Sequence, residues 1–354
     1  MINILNKYLF YFNKKSNNTL NKNTLNIEKI KKCISTSKNE NAFLALLDDK
    51  KFFFYPSDSD ECCFIMYGMK GNSYIAMGDP IGKEELVEKT IEEFIKFCKR
   101  ERKKCIFYEV DHENIGAYIK NNMIVSKIGE RGKVILKNFT LDGSDMRKLR
   151  HLYNHLKKDN YNFKVIQKEN ITPILAELES ISQEWLENKN SSEKRFSIGH
   201  FSEEYIKNFD LAILEKDDKI ISFANIYGTP KKECLTLDLM RHRKGLENSI
   251  MEYFFICLIQ YAKEQNFNFF SLGIVPLSGI EKEWLSPYKS IENFIFHYEK
   301  HFYNFKGLKL FKDKFNPQWS PVYITYYGHS IFPLIIKDII SLSSNGLINA
   351  IRKK

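Results

Sequence analysis

The sequence predicts an α/β (α+β) protein made of two successive units of one plan, joined by a basic helix. Three observations predict it. At 354 residues the chain exceeds what one ordinary core organises, so two domains of common size are expected. Hydrophobic residues make up 43% and aromatics 14%, which sets the chain apart from disordered sequences. Apolar runs of strand length also alternate, twice and in similar order, with runs of helical spacing.

Residues 13–26 are rich in Asn, Lys and Thr, so 1–26 reads as a tether. The apolar patch Tyr8 to Phe12 is short and no small-residue cleavage site follows it, unlike a secretory signal. The first unit is expected over 27–145. IEKIKKCI gives a short amphipathic helix, and NENAFLALLDDKKFFFYP a helical turn and a strand. CFIMYGM and SYIAMGDP are strands that Gly71-Asn72 joins as a hairpin. In IGKEELVEKTIEEFIKFCKRERKK, Leu86, Val87, Ile91, Phe94, Ile95 and Cys98 recur at helical spacing. CIFYEV reads as a buried strand, 114–122 as a short helix and KVILKNF as a closing strand.

Residues 146–165 form the connection, with Met146, Leu149, Leu152, Tyr153 and Leu156 on one face of a basic helix. The second unit spans 166–328: a helix over Thr172 to Glu187, strands at LAILEKD, KIISFANIYG and CLTLDLM, an apolar helix from Asn248 to Glu264, the strand FFSLGI, and a helix from Glu292 to Tyr303. Antiparallel strands that lead into a strand, helix, strand crossover are the plan of a GNAT-type acyltransferase, so two GNAT-like units in tandem are expected. Residues 329–354 read as an amphipathic helix that either lies at an anionic membrane surface or packs on the second unit.

The net charge of +10 and pI near 9.0 favour an anionic partner, nucleic acid or acidic membrane. Seven scattered cysteines without a C-x-x-C pair argue for reduced thiols. His297 and His301 have the spacing of a helical metal pair but no evident third ligand, so no metal is expected. No apolar run reaches the ~18 to 20 residues of a spanning helix. The stretch His301 to Pro321 interleaves aromatics with Lys306, Lys309, Lys312 and Lys314. Such interleaving suits a phosphate-bearing partner, although basic runs are more often solvated surface.

Several segments carry a resemblance: NAFLALLDDKKFFF, YIAMGDPIG, FYEV, KIGERGKVIL, EKRFSIGHF, SFANIY, LDLMRHR, GIVPLSGI and HFYNFKGLKLFKDKFNPQWSPVY. In this order and spacing they resemble the soluble catalytic portion of the bacterial phosphatidylglycerol lysyltransferases, the multiple peptide resistance factors. The resemblance implies an aminoacyltransferase. It would esterify an amino acid, lysine or alanine, from aminoacyl-tRNA onto a glycerol hydroxyl of phosphatidylglycerol, lowering the negative charge of the membrane. Family members usually carry a flippase-like membrane portion ahead of this domain. This chain is therefore expected to transfer without flipping, peripheral on the inner face of the cell membrane. The alternatives are transfer to a soluble or peptide acceptor, or a non-catalytic module that binds tRNA or membrane.

An aminoacyl ester is already activated, so no cofactor is expected. The site must hold the acceptor hydroxyl against the ester carbonyl, take its proton and stabilise the oxyanion. Read alone, Asp238 and Arg241 of LDLMRHR are better taken as a capping carboxylate and a surface cation. The resemblance makes them functional: Asp238 for the amino group or the acceptor hydroxyl, Arg241 for a phosphate or the oxyanion. It likewise gives Lys312 and Lys314 to phosphate, on one face if FKDKF is extended. Glu299 and Tyr303 are candidate substrate contacts. RHRKGLENS lacks the small-residue loop that cradles the pyrophosphate of acetyl-CoA. Where the family usually has Gly before Met-Asp, this chain has Ser249 before Met251-Glu252, which leaves the donor open and makes Glu252 a further substrate contact. Basic clusters at 96–104 and 147–158 are candidate tRNA contacts.

Overall fold

The computed structural model describes residues 26–59, 61–189, 192–280, 305–327 and 332–343. The chain opens with helix α1 (26–36), followed by a 3-10 turn at Ala42–Leu46. Strands β1 (Lys51–Tyr55), β2 (Cys63–Lys70), β3 (Ser73–Met77) and β4 (Ile81–Gly82) come next. Helix α2 (Val87–Arg100) then crosses to β5 (Lys104–Asp111), and α3 (Ile115–Lys120) leads to β6 (Ile124–Ile135). Helix α4 (Arg147–Lys158) precedes β7 (Tyr161–Ile166), α5 (Leu175–Asn188) and α6 (Glu203–Ile206). Strands β8 (Asp210–Lys216), β9 (Lys219–Gly228) and β10 (Cys234–His242) follow, and α7 (Asn248–Glu264) crosses to β11 (Phe269–Pro276). The last described elements are α8 (Phe305–Asp313), β12 (Gln318–Tyr326) and α9 (Phe332–Ser343).

The strands form a single sheet in the order β1-β2-β3-β5-β12-β6-β11-β10-β9-β8-β7, with β4 beside β2. Two neighbouring pairs are parallel, β3 with β5 and β10 with β11, and the others are antiparallel. Apart from the extra edge strand β7, the order reads alike outward from the antiparallel pair β12 and β6. Each half follows the antiparallel-to-parallel plan expected of a GNAT-like unit, and α2 and α7 supply the crossovers that parallel pairs need.

The closing strands differ from the expected arrangement. The strand foreseen as KVILKNF starts earlier, runs from Ile124 to Ile135, and pairs with β11 of the second half. Strand β12 leaves the second half to lie between β5 and β6. Strand β7, inside the stretch read as a connecting helix, edges the sheet beside β8.

Period-two alternation sorts the side chains into layers. On β2, Phe64 and Met66 join a core with α1, the 3-10 turn, α5, α6 and α9. Ile65 and Tyr67 point the other way, toward α2 and α3. On β8, Leu211 and Ile213 join that same first core, while Ala212 and Leu214 face α4 and α7. One face thus carries a core continuous across both halves, and the other carries one core per half. Helix α9 buries Ile335 and Ile339 in the continuous core, and its Asp338 accepts from Ser73 Oγ at 2.9 Å. Its apolar face packs mainly on β2 and β3 of the first half. No helix among the described residues is long and apolar enough to cross a membrane.

Candidate active site

Strands β10 and β11 are paired only at Cys234 with Phe269 and Leu235 with Phe270, and beyond these they part. A bulge in β10 between Leu237 and Met240 falls at the start of the splay. It turns Leu239 into the continuous core and Asp238 toward α6, while Leu237 and Met240 face α7. The carboxylate of Asp238 is fixed: Gly199 N–H donates to it at 2.9 Å and Tyr205 O–H at 2.6 Å. Glycine is required at 199, because a Cβ there would lie 1.8 Å from Asp238 Oδ2. Burial raises the Asp238 pKa, and the Tyr205 and Gly199 bonds hold against it.

Arg241 lies in the same environment, as each feels the other's charge. Its guanidinium is 4.1 Å from the Trp185 ring of α5 and donates to Glu193 Oε2 at 2.9 Å. The buried Nε has no hydrogen-bond partner among the described residues. A second cation was not foreseen: the Lys50 side chain is wholly buried on Asp49 and feels Asp238. Asp49 in turn accepts from Phe196 N at 2.6 Å, so the chain just before β1 is tied to the loop that also supplies Gly199.

Lys312 reaches the splay from the α7 side of the sheet, on α8. It is 7% exposed, and its Nζ donates to the carbonyl of Ile274 at 3.0 Å, on the part of β11 that has left β10. Burial, with Arg131 nearby, lowers its pKa to about 7, and Glu109 opposes the drop. Arg131 of β6 is 1% exposed and central to a buried cluster. It pairs with Asp111, with Glu40 at 3.3 Å and with Glu109 at 3.9 Å, and Lys133 adds a contact to Glu40 at 3.0 Å. Burial opposes ionisation of Glu40, but Arg131 and Lys133 hold its pKa below the ordinary value. Burial raises Glu109 to about 7 despite Arg131. None of Glu109, Arg131 and Glu40 was singled out from sequence. The available signal was a charge inside an otherwise apolar or glycine-flanked strand, as in CIFYEV and GERGKVI.

The remaining sequence candidates lie elsewhere. FKDKF is the end of a helix, not an extended segment, so Lys312 and Lys314 do not share a face. Lys312 is buried, whereas Lys314 is half exposed and bonded to Glu252 of α7 at 2.5 Å. Those two candidates neutralise each other. Glu299, Tyr303 and the His297–His301 pair lie outside the described residues. Among the described residues no group of three or more His, Cys, Asp or Glu is placed to hold a metal ion. Ahead of α7, where a GNAT unit would cradle pyrophosphate, the capping position is Glu247, whose charge opposes a phosphate. In the basic clusters, Lys96 is paired with Glu92 and Glu93, Lys99 lies 4.0 Å from the Tyr327 ring, and Arg150 caps the carbonyls of Leu141 and Gly143.

Comparison with known proteins adds to this geometry. Residues 33–326 match the family model described as phosphatidylglycerol lysyltransferase, C-terminal. The phosphatidylglycerol lysyltransferase of Staphylococcus xylosus is 31% identical over 283 residues, 79% of this chain and 33% of that protein. The chain thus spans about a third of the length of that relative. Among solved structures, the C-terminal domain of a putative lysylphosphatidylglycerol synthetase from Agrobacterium fabrum superposes with a TM-score of 0.82 at 31% identity, covering 92% of this chain and 99% of that one. The structure of L-PGS from Bacillus licheniformis gives 0.79 at 30% identity, covering 89% and 96%.

Proposed function

This chain belongs to the family of phosphatidylglycerol lysyltransferase C-terminal domains, and on that premise we propose that it moves an aminoacyl group from aminoacyl-tRNA to a glycerol hydroxyl of phosphatidylglycerol. The observation that carries the reading is the splay between β10 and β11, with the Asp238 and Arg241 pair on one side and the Lys312 amine on the other. An amine whose pKa is lowered to about 7 is half neutral near pH 7, as a general base requires. Lys312 takes the proton of the attacking hydroxyl as its oxygen adds to the ester carbonyl. The same proton then passes to the ribose oxygen that leaves.

Arg241, with its free Nε, offers a donor to the oxyanion or to a phosphate. Asp238 already accepts two hydrogen bonds, so it acts as a fixed anion toward the cationic amino group, not as a mobile base. The transfer needs no cofactor, because the ester bond supplies the activation. The protein works at the inner face of the membrane, where both the tRNA donor and the anionic lipid are at hand.

The test is incubation of the purified protein with labelled Lys-tRNA or Ala-tRNA and phosphatidylglycerol vesicles. Labelled lipid is the expected product, and the donor that yields it identifies the amino acid. Label found only in water-soluble product would replace the lipid by a soluble acceptor. Absence of transfer from a panel of aminoacyl-tRNAs would favour a binding module.

A further inference from the structure

Asp238 and Arg241 are gripped by one short segment, and that segment is itself strained. Residues 193–201 run between α5 and α6 as a strap with neither helix nor strand. At one end Glu193 Oε2 accepts from Arg241 Nη2 at 2.9 Å, and at the other Gly199 N–H donates to Asp238 at 2.9 Å. Phe196 stands midway between the two. Its φ is 70°, and Ser197 N–H donates to the Arg195 carbonyl at 2.9 Å, which closes a three-residue turn around it. Such a turn is rare and strained, most of all for a residue with a bulky side chain, so its surroundings must hold it.

Three neighbours hold it. Asp49 Oδ2 accepts from Phe196 N–H at 2.6 Å, and the Lys50 ammonium on that carboxylate lies 5.8 Å from the Phe196 ring. The Ser343 carbonyl of α9 accepts from Arg195 N–H at 3.0 Å. Gly68 of β2 leaves room for the ring: a Cβ there would lie 3.0 Å from Phe196 Cε2 and 2.9 Å from Leu342 Cδ1 of α9. The ring thus packs on β2 beside Leu342, and Phe196 is 2% exposed. We propose that Phe196 is a positioning residue for the transfer: seated on Asp49, β2 and α9, it fixes the spacing at which the strap holds Arg241 and Asp238. The proposal rests on the reading of that pair as part of the site. It also makes α9 a support of the site, through Leu342 and Ser343.

The experiment measures two quantities on the full chain: hydrogen exchange of the peptide covering 193–201, and kcat for aminoacyl transfer to phosphatidylglycerol vesicles, taken per folded molecule. Leu342→Ala withdraws the α9 support and leaves the strap sequence intact, while Phe196→Ala removes the ring and keeps the backbone conformation. Each should speed exchange of the strap about tenfold or more. Each should also lower kcat about tenfold or more, because a misplacement of ~1 Å in the reacting groups suffices for that. Phe196→Leu, which keeps an apolar wedge, should recover most of both losses. Ile95→Ala opens the separate core beneath α2 and should leave strap exchange and kcat near the wild-type values. Faster exchange with wild-type kcat would overturn the proposal, since the strap would then serve only the fold. Unchanged exchange in Leu342→Ala and Phe196→Ala overturns it as well, as does an equal loss of kcat in Ile95→Ala. Should Phe196→Ala fail to fold, Leu342→Ala decides. If wild type transfers to no acceptor, the functional reading falls, while the exchange still shows whether Phe196 and α9 hold the strap.

Discussion

In the first half of the sheet, β3 and β5 run parallel, and beyond their last pair, Met77 with Tyr108, β5 bulges at Glu109; in the second half, β10 and β11 run parallel for two pairs and β11 bulges before Gly273. Each half has a bulge with one left-handed residue, the inserted Glu109 in the first and Gly273, next to the inserted Leu272, in the second. The second-half bulge is bare, and a lysine from α8 comes within reach of it. The first-half bulge carries a carboxylate at a conformation that costs about 1–3 kcal/mol and points it into the cluster around Arg131. The difference teaches that the halves are not two copies of one site: the splayed strands and the buried lysine lie in the second, while in the first the bulge carries a carboxylate beside Arg131.

The largest effect expected from breaking this division is at Arg131. Arg131→Met strands Glu40, Asp111 and Glu109 in the interior without their shared cation, and should cost about 3–5 kcal/mol in chemical denaturation. Lys312→Met should do the reverse, raising stability at pH 7 by on the order of 1–2 kcal/mol while transfer falls at least a hundredfold. The sign follows from linkage. A lysine whose folded pKa is about 7 binds fewer protons than the unfolded chain between about pH 7 and 10, so its cost is full below pH 7 and fades as pH rises toward 10. The stability advantage of Lys312→Met over wild type should therefore shrink across that window.

On the bare bulge, Gly273→Ala imposes the left-handed conformation on a residue with a Cβ and should cost about 1–2 kcal/mol. The smallest effect is at the end of α8. Lys314→Ala and Glu252→Ala remove a partly exposed ion pair and should each change stability by less than about 1 kcal/mol, with transfer altered less than about twofold.

Much of the fold was legible in the sequence because local pattern dictates it. The strand KIISFANIYG and the hairpin at Gly71-Asn72 formed as read, and the helical spacing of Ile91, Phe94, Ile95 and Cys98 matches their burial. The place of β12 was not legible, since alternation says which face a side chain takes and nothing about which strand lies alongside. Lys312 and Lys314 separated for a related reason. Phe305, Leu308 and Phe311 are spaced for a helix, and a helix turns residues two apart to different sides. Asp238 and Arg241 came together because the bulge in β10 breaks the period that would have set them on opposite faces. The Glu109 and Arg131 cluster joins β5, β6 and the turn before β1, distances in sequence that no local motif spans.

The most direct test compares wild type with Lys312→Met in the vesicle assay with labelled aminoacyl-tRNA, after denaturation has shown both to be folded. Labelled phosphatidylglycerol from wild type and at most a hundredth of that rate from Lys312→Met is the predicted result. Equal rates from the two proteins, or label that never enters the lipid, would contradict it.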